Sequence, residues 1–199
     1  MSTTKSIKGT RTEANLVAAY MAESMAYTRY MYYAKQADKD GYPPIRVIFD
    51  ATANNEMHHS KVFFKFLEGG TGTKEMTIDA GVIGSTAENL ATAAAEEEAE
   101  GVVMYTNAAK IAREEGFDNI ADVFESIAKV ELFHRDRFLR FLDQVQKGTV
   151  WKRDTPIKWQ CLVCGYVYEG TEPPTVCPAC AHPSKYYMAM SEMTNYAID

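Results

Sequence analysis

Apolar residues recur at spacings of three and four from about Thr10 to Gln146, in a stretch dominated by Ala, Leu, Met, Glu and Lys. This period is that of an amphipathic α-helix. Proline occurs there only as Pro43 and Pro44, which suit the first turn of a helix. Glycine-containing breaks divide the stretch into four predicted helices, over about 12–38, 43–69, 85–116 and 117–147.

The connections predict how these helices are arranged. Those around Gly41 and Gly116 are short, and the one from Gly70 to Gly84 is long. Short connections give antiparallel hairpins, and a long one can cross the length of a bundle. We therefore expect three parts: a four-helix bundle over 1–148, a linker over 149–158 and a small turn-rich module over 159–199.

Composition and charge narrow the class of protein. The chain has 199 residues, 46% of them apolar, and a formal net charge of −6. An acidic balance argues against nucleic acid as a partner. No run reaches the roughly 18 apolar residues of a spanning helix, and the first residues lack the apolar stretch of a signal peptide. We therefore expect a soluble, cytoplasmic protein that binds neither nucleic acid nor membrane.

Two Glu-x-x-His motifs lie on the second and fourth predicted helices. They pair Glu56 with His59 and Glu131 with His134. A separation of three residues places both side chains of a motif on one face of its helix. His58 is two residues from Glu56, so we expect it to point away, toward solvent or a partner.

Each predicted hairpin carries a further glutamate in its first helix. Glu56 follows Glu23 by thirty-three positions, and Glu131 follows Glu97 by thirty-four. The two hairpins therefore repeat each other with an offset of seventy-four to seventy-five positions. Four glutamates and two histidines in this order form the di-iron or di-manganese site of ferritin-like bundles. Two divalent cations would balance four carboxylates that are otherwise very unfavourable in an apolar core.

The acidic run from Glu96 to Glu100 has two interpretations. It is typical of a solvated helix face, whereas the repeat singles out Glu97 as a ligand and makes Glu100 a candidate additional ligand. Tyr30, seven residues after Glu23, is either a core aromatic or a hydrogen-bond donor to a ligating carboxylate. The oxygen and imidazole donors suit iron or manganese and leave zinc open.

All four cysteines lie close together near the C-terminus, and the long stretch before them contains none. In a cytosolic chain, paired Cys-x-x-Cys motifs favour metal binding over disulfides or dithiol redox chemistry. Four thiolates at this spacing form a tetrahedral site, for redox-active iron or for structural zinc. We expect Gly165 to supply the positive φ needed after the first motif. The four predicted ligands are Cys161, Cys164, Cys177 and Cys180.

The sequence resembles the rubrerythrins over nearly its whole length. The resemblance rests on Ala-Glu-Ser-Met-Ala around Glu23, the two Glu-x-x-His motifs, Ile-Ala-Arg-Glu-Glu-Gly at 111–116, and a tail with Cys-Gly-Tyr-Val-Tyr-Glu-Gly and Cys-Pro-Ala-Cys-Ala-His-Pro. It implies a mainly α protein, in which a ferritin-like di-iron four-helix bundle is followed by a rubredoxin-like metal-binding β module. It also implies two iron atoms in the bundle and one in the module.

The resemblance assigns roles to particular residues. Glu56 and Glu131 would bridge the two irons. Glu100 would bind one iron in the oxidised state, and that iron would move to His59 on reduction. Glu98 and Ala99 stand where the family often has two histidines, and His58 replaces a commoner acidic residue. The implied di-iron ligands are Glu23, Glu56, His59, Glu97, Glu100, Glu131 and His134, and the implied catalytic residues are the five glutamates with Tyr30 and Tyr105.

The resemblance also implies a peroxidase that reduces hydrogen peroxide to water. Electrons from an NAD(P)H-dependent reductase or a rubredoxin would enter through the Fe(SCys)4 centre. The bundle would form a head-to-tail homodimer, in which one subunit's module serves the other's di-iron site. Two alternatives stay open: a ferroxidase or iron-storage protein, which would not need the electron-input module, and a non-enzymatic binding module with zinc at the cysteines.

Overall fold

The computed structural model describes residues 5–75, 77–78 and 80–193, so the ends of the predicted domains, 1–4 and 194–199, lie outside the described residues. A mainly helical bundle precedes a small sheet, which confirms the predicted fold class. The bundle consists of α1 Arg11–Lys39, α2 Pro43–Phe66, α3 Thr86–Glu98, a π-helical turn Ala99–Met104, α4 Tyr105–Glu114 and α5 Asp118–Lys147.

Local sequence signals set the helix ends. Ser85 accepts a hydrogen bond from the Glu88 backbone, and the Glu88 carboxylate accepts one from the Ser85 backbone, which together form a capping box. Pro43 begins α2, where its missing N–H costs nothing. Gly148 ends α5 in the left-handed conformation.

The third predicted helix is not a continuous α-helix, because the π-helical turn Ala99–Met104 separates α3 from α4. Tyr30 follows Glu23 by seven residues, whereas Tyr105 follows Glu97 by eight. A π-helical turn accommodates one additional residue in a helix. The turn therefore lets Tyr105 occupy the place in the second hairpin that Tyr30 occupies in the first.

The π-helical turn approaches α5 closely at Gly101. A Cβ atom on Gly101 would lie 2.8 Å from the carbonyl oxygen of Ala128. Glycine is therefore required where the turn that follows Glu97 packs against the helix that carries Glu131.

Two apolar clusters fill the bundle on either side of the central glutamates. In the first, the rings of Tyr30, Phe49 and Phe138 lie 5.1 to 6.0 Å apart between centroids. In the second, the rings of Phe63, Tyr105 and Phe124 lie 5.0 to 5.8 Å apart. Apolar side chains therefore enclose the glutamates from both ends of the bundle.

The C-terminal module is a three-stranded antiparallel sheet of order β2-β1-β3. The elements of the module are β1 Ile157–Cys161, β2 Val167–Gly170, a 3-10 turn Ser184–Tyr186, β3 Tyr187–Ala189 and the short α6 Met190–Met193.

Among the described residues, no helix is both long and apolar enough to cross a membrane.

The module packs against the end of the bundle that carries the α1–α2 turn. Trp151 stacks on Tyr42 with ring centroids 5.7 Å apart, and Met188 is buried in the first apolar cluster. Arg140 on α5 binds the Glu192 carboxylate at 2.8 Å. These contacts fix the module on the bundle, while the domain bounds 1–148, 149–158 and 159–199 stay predictions.

Candidate metal centres

Six of the seven predicted di-iron ligands meet in the middle of the bundle. They form two groups, and within each group the candidate ligand atoms lie within 4.8 Å of one another. The first group is Glu23, Glu56, His59 and Glu131, and the second is Glu56, Glu97, Glu131 and His134. Glu56 and Glu131 belong to both groups, so each is placed to bridge two metal ions.

Several buried carboxylate oxygens of this cluster accept no hydrogen bond. Oε2 of Glu23, Oε1 of Glu56 and both carboxylate oxygens of Glu131 have no hydrogen-bond partner. These three residues are at most 1% exposed. Buried carboxylates without compensation are strongly unfavourable. Two divalent cations would supply the missing positive charge, so the residues present fit a dimetal site.

Asn55, which is not part of either Glu-x-x-His motif, orients His134 for metal binding. Its Nδ1 faces the cluster, 3.0 Å from Glu131 and 3.1 Å from Glu56. Its Nε2 lies 3.3 Å from Oδ1 of Asn55, to which it donates when Nδ1 is free to bind a metal. Sequence reasoning missed Asn55, because only the packing of α2 on α5 brings it to His134.

Burial and neighbouring charges raise the pKa of some residues of the cluster and lower the pKa of others. Burial, reinforced by Glu56, raises the pKa of Glu97 to about 8, and burial raises the pKa of Glu23. Burial also opposes ionisation of Glu56, but His134 and His59 outweigh it and lower the pKa of Glu56 to about 2. Glu56 and Glu97 raise the pKa of His134 against the effect of burial. Protons therefore balance the cluster until metal ions displace them.

Two buried tyrosines connect the hairpins through the cluster. The Tyr30 hydroxyl donates to Oε1 of Glu97 at 2.7 Å, and the Tyr105 hydroxyl donates to Oε1 of Glu23. Each bond runs from one hairpin to the first-helix glutamate of the other. Tyr105 follows Tyr30 by seventy-five positions, as Glu131 follows Glu56. The offset of the internal repeat therefore indicates that Tyr30 and Tyr105 occupy equivalent positions in the two hairpins.

Glu100 lies apart from the six. It is half-buried in the π-helical turn, outside both groups of ligand atoms. Burial, and then the charge of Glu23, raises its pKa. Its role as a seventh ligand stays a prediction. The neighbouring Glu98 and Ala99 are exposed, and His58 is exposed as predicted.

The four cysteines form one group in the module. Sγ of Cys161 lies 3.7 Å from Sγ of Cys180, and the same distance separates Cys164 from Cys177. A tetrahedron with metal–sulfur bonds of about 2.3 Å has edges of about 3.7 Å, so the sulfurs fit an S4 site. Burial opposes ionisation of Cys177, but donors that include the Ala179 and Cys180 N–H groups lower its pKa to about 6. Cys164 forms the exposed edge of the group.

The two Cys-x-x-Cys turns share one backbone pattern. Gly165 N–H donates to the Cys161 carbonyl, and Ala181 N–H donates to the Cys177 carbonyl, both at 2.9 Å. Gly165 has φ of 77°, as predicted, and Ala181 has φ of 60°. The second turn therefore tolerates a left-handed alanine, which costs roughly 1–2 kcal/mol.

Known proteins share both halves of this arrangement. The sequence pattern of the rubrerythrin family matches residues 14–142 and 88–160. The pattern described as "Rubrerythrin, rubredoxin-like domain" matches residues 159–188. The chain belongs to the rubrerythrin family.

Relatives of this family match nearly the whole chain. The chain is 49% identical to a rubrerythrin of Nitratidesulfovibrio vulgaris, over 92% of this chain and 96% of the relative. It is 48% identical to a rubrerythrin of Porphyromonas gingivalis, over 96% and 95%. A structure of nigerythrin in a mixed-valence state is 29% identical and has a TM-score of 0.61, covering 95% of this chain and 90% of its own. A bacterioferritin from Mycobacterium tuberculosis, 19% identical with a TM-score of 0.59 over 68% of this chain and 86% of its own, shares the fold.

Family membership confirms the predicted cofactors. The chain has a ferritin-like di-iron site of glutamate and histidine ligands and a rubredoxin-like iron site of four cysteines. Rubrerythrins are oxidoreductases, and the rubredoxin-like domain indicates exchange of electrons with redox partners.

Proposed function

We propose that this protein is a peroxidase that reduces hydrogen peroxide to water, with electrons entering through the four-cysteine centre. The observation that supports the proposal most strongly is the presence of both centres in one chain, a buried carboxylate–histidine dimetal group and an S4 group with an exposed edge. The reaction is balanced when one peroxide takes two electrons and two protons and yields two water molecules.

The proposed di-iron ligands are the six clustered residues and Glu100. An iron pair held by these residues would supply two electrons and Lewis-acid polarisation of peroxide, and an iron held by the four cysteines would supply replacement electrons one at a time. The bundle itself largely excludes bulk water from the cluster, since Glu23 and Glu131 are fully buried. The proposed ligands of the S4 iron are Cys161, Cys164, Cys177 and Cys180.

In this proposal Tyr30 and Tyr105 hold protons at their hydroxyl oxygens. Burial, and then nearby carboxylates, raises the pKa of both, so they stay neutral donors. Tyr105 occupies one oxygen of Glu23, which leaves Oε2 facing the cluster without a hydrogen bond. Tyr30 occupies Oε1 of Glu97 in the same way. The tyrosines therefore orient two ligands and can pass protons toward the reacting oxygen atoms.

The position of the module favours electron delivery between subunits. The linker residue Trp151 stacks on Tyr42 at the start of α2, and Glu56 lies fourteen positions beyond Tyr42, about 20 Å along the helix at 1.5 Å per residue. Because electron transfer slows steeply with distance, we propose a head-to-tail homodimer in which the partner's module serves this bundle. The exposed Cys164 edge would receive electrons from a reductase or rubredoxin.

Peroxide consumption by the iron-loaded protein, with NADH and a rubredoxin-reducing reductase, tests the proposal. We expect peroxide-dependent NADH oxidation with a red S4 centre. Cys164→Ser should abolish this coupled turnover and leave the stoichiometric oxidation of pre-reduced bundle iron by peroxide. Rapid iron mineralisation without coupled turnover would instead support the ferroxidase, and a colourless S4 site that contains zinc would contradict electron entry.

A further inference from the structure

A cavity of about 190 Å³ lies between α1 and the helix that carries Glu97. Its walls include the small side chains of Ala22 and Ala26 on α1 and of Ala99 on the π-helical turn, together with the larger Met25, Thr77 and Ile78. Ala22 adjoins Glu23, and Ala26 follows Glu23 by three residues, on the same side of α1. The α1 wall of the cavity is therefore built from neighbours of a candidate ligand.

Glu100 belongs to the proposed ligand set and also lines this cavity. It is half-buried, whereas Glu23, Glu97 and Glu131 are at most 2% exposed. Glu100 also follows Glu97 by three residues, so the cavity reaches a residue one helical turn from a buried member of the cluster. On the opposite side of the cluster, His59 exposes 13% of its side chain.

An ion pair spans the cavity from one helix to the other. Arg29 of α1 binds Glu96 of α3, and both side chains line the cavity. Only 18% of the Arg29 side chain and 24% of the Glu96 side chain are exposed. A partly buried pair of this kind holds two helices at a set separation, so it limits the width of the cavity.

We propose that this cavity is the route by which the oxidant reaches the dimetal site, and that the Arg29–Glu96 pair sets which molecules pass. Alanine side chains with carboxylates beside them admit a small neutral molecule, disfavour anions and exclude bulky hydroperoxides. The inference rests on the proposed dimetal site, but it does not depend on which oxidant is reduced.

The test is the binding rate of nitric oxide, a small neutral molecule that coordinates ferrous iron, to the anaerobically reduced full-length protein. Ala99→Trp should fill the cavity and slow binding about tenfold, equivalent to about 1.4 kcal/mol of added barrier. Ala91→Trp is the matched control on α3, because Ala91 is exposed and is not among the residues that line the cavity. Glu96→Ala should widen the route and speed binding, and it should also raise the rate with cumene hydroperoxide relative to hydrogen peroxide.

Iron content, measured for every variant, separates loss of the site from loss of access. Unchanged nitric oxide rates in both Ala99→Trp and Glu96→Ala, at full iron content, would overturn the proposal and place the route on the His59 side. If Ala99→Trp lowers the iron content, the nitric oxide rate of Glu96→Ala decides. Shifted nitric oxide rates in a protein without peroxide turnover would support the route and refute the peroxidase function.

Discussion

A buried carboxylate is stable in this bundle only where another group balances its charge. Glu97 illustrates this at the scale of single residues, because it is 2% exposed within a run of acidic residues, whereas the adjacent Glu98 is exposed. A shift of one position along the helix therefore decides whether a glutamate contacts His134 and Tyr30 or is exposed to solvent. The repeat identified this position from the sequence, and composition could not.

Glu97→Ala should remove metal from the bundle while the four-cysteine centre keeps its iron. The reason is that Glu97 is the one carboxylate of the second ligand group that the first group does not share, so its loss leaves the second group with too few donors. Iron analysis together with the visible spectrum of the red centre measures both sites at once.

Glu98→Ala is the matched control for this change. Glu98 lies next in sequence, and its carboxylate faces Arg135 at 3.6 Å, away from the ligand groups. Full bundle iron in Glu97→Ala would show that the repeat had been assigned to the wrong glutamate.

Tyr30→Phe and Tyr105→Phe should each weaken metal binding by about tenfold, the usual effect of removing a hydrogen bond to a ligand. Each change removes the donor to one oxygen of Glu97 or Glu23 and keeps the aromatic ring in its cluster. Titration of metal-free protein with Co(II) measures the affinity. Tyr27→Phe, at an exposed position of α1, should leave it unchanged, and equal affinities in all three variants would rule out an orienting role.

At the scale of elements, each hairpin caps a helix of the other. Oδ2 of Asp40, after α1, accepts hydrogen bonds from the Thr86 backbone at 2.9 Å and from its hydroxyl at 2.7 Å. Oε2 of Glu115, after α4, accepts the same two bonds from Thr12 at 2.8 and 2.6 Å. Both carboxylates therefore satisfy free N–H groups in the first turn of a helix.

Asp40→Ala and Glu115→Ala should each lower the free energy of unfolding by about 1 kcal/mol near neutral pH. Burial opposes ionisation of both carboxyls, but the bonds from Thr86 and Thr12 outweigh it and lower their pKa values. A carboxyl whose pKa is lower in the folded state stabilises the protein above its unfolded pKa and loses this effect as the pH falls through the folded value. The difference from the unmodified protein should therefore shrink below about pH 4.

Urea denaturation at pH 7 and pH 3 measures this difference. Glu114→Ala serves as the control, because Glu114 lies beside Glu115 and pairs with Arg11 at the surface. A stability difference of the same size at both pH values would show that the charge of the caps has no effect.

The π-helical turn belongs to the same scale. Apolar spacings of three and four predict one helix over 85–116. The extra residue between Glu97 and Tyr105 is visible in the repeat, because Glu97 follows Glu23 by seventy-four positions and Tyr105 follows Tyr30 by seventy-five. An extra residue can be absorbed by a loop, a bulge or a π-helical turn. Only the close packing on α5 at Gly101 selects the turn.

At the scale of the whole molecule, the proposed dimer predicts that two variants that are inactive alone become active when they are combined in one dimer. Glu97→Ala protein should lack bundle iron, and Cys164→Ser protein should lack the red centre, so each alone should be inactive with the reductase. In a mixed head-to-tail dimer, the intact module of one subunit faces the intact bundle of the other. Denaturing and refolding the two proteins together should restore about a quarter of the unmodified rate, because half of the dimers are mixed and each holds one complete pair.

The size of the assembly, measured by sedimentation, accompanies this experiment. A dimer without restored activity would mean that electrons pass within one subunit, from the module docked by Arg140 and Glu192 to its own bundle. A monomer with normal turnover would exclude delivery between subunits altogether.

The sequence alone determined the features that depend on spacing within one helix or one turn. Three residues separate Glu from His in each motif, three separate Ser85 from Glu88 in the capping box, and Gly165 follows Cys164 directly. Helical and turn geometry fix the relation between such residues whatever the rest of the chain does. The repeat extended this reasoning to the pairing of the two hairpins.

Tertiary structure alone decided which side chains meet across helices. Asn55 reaches His134, Tyr30 reaches Glu97, and Glu100 lies beside a cavity, apart from the six clustered residues. These contacts depend on the rotation and separation of neighbouring helices, which a period of 3.6 residues does not specify. The sequence therefore predicted the candidate ligands that the fold brings together, whereas the groups that orient them and the proposed route to them follow from packing.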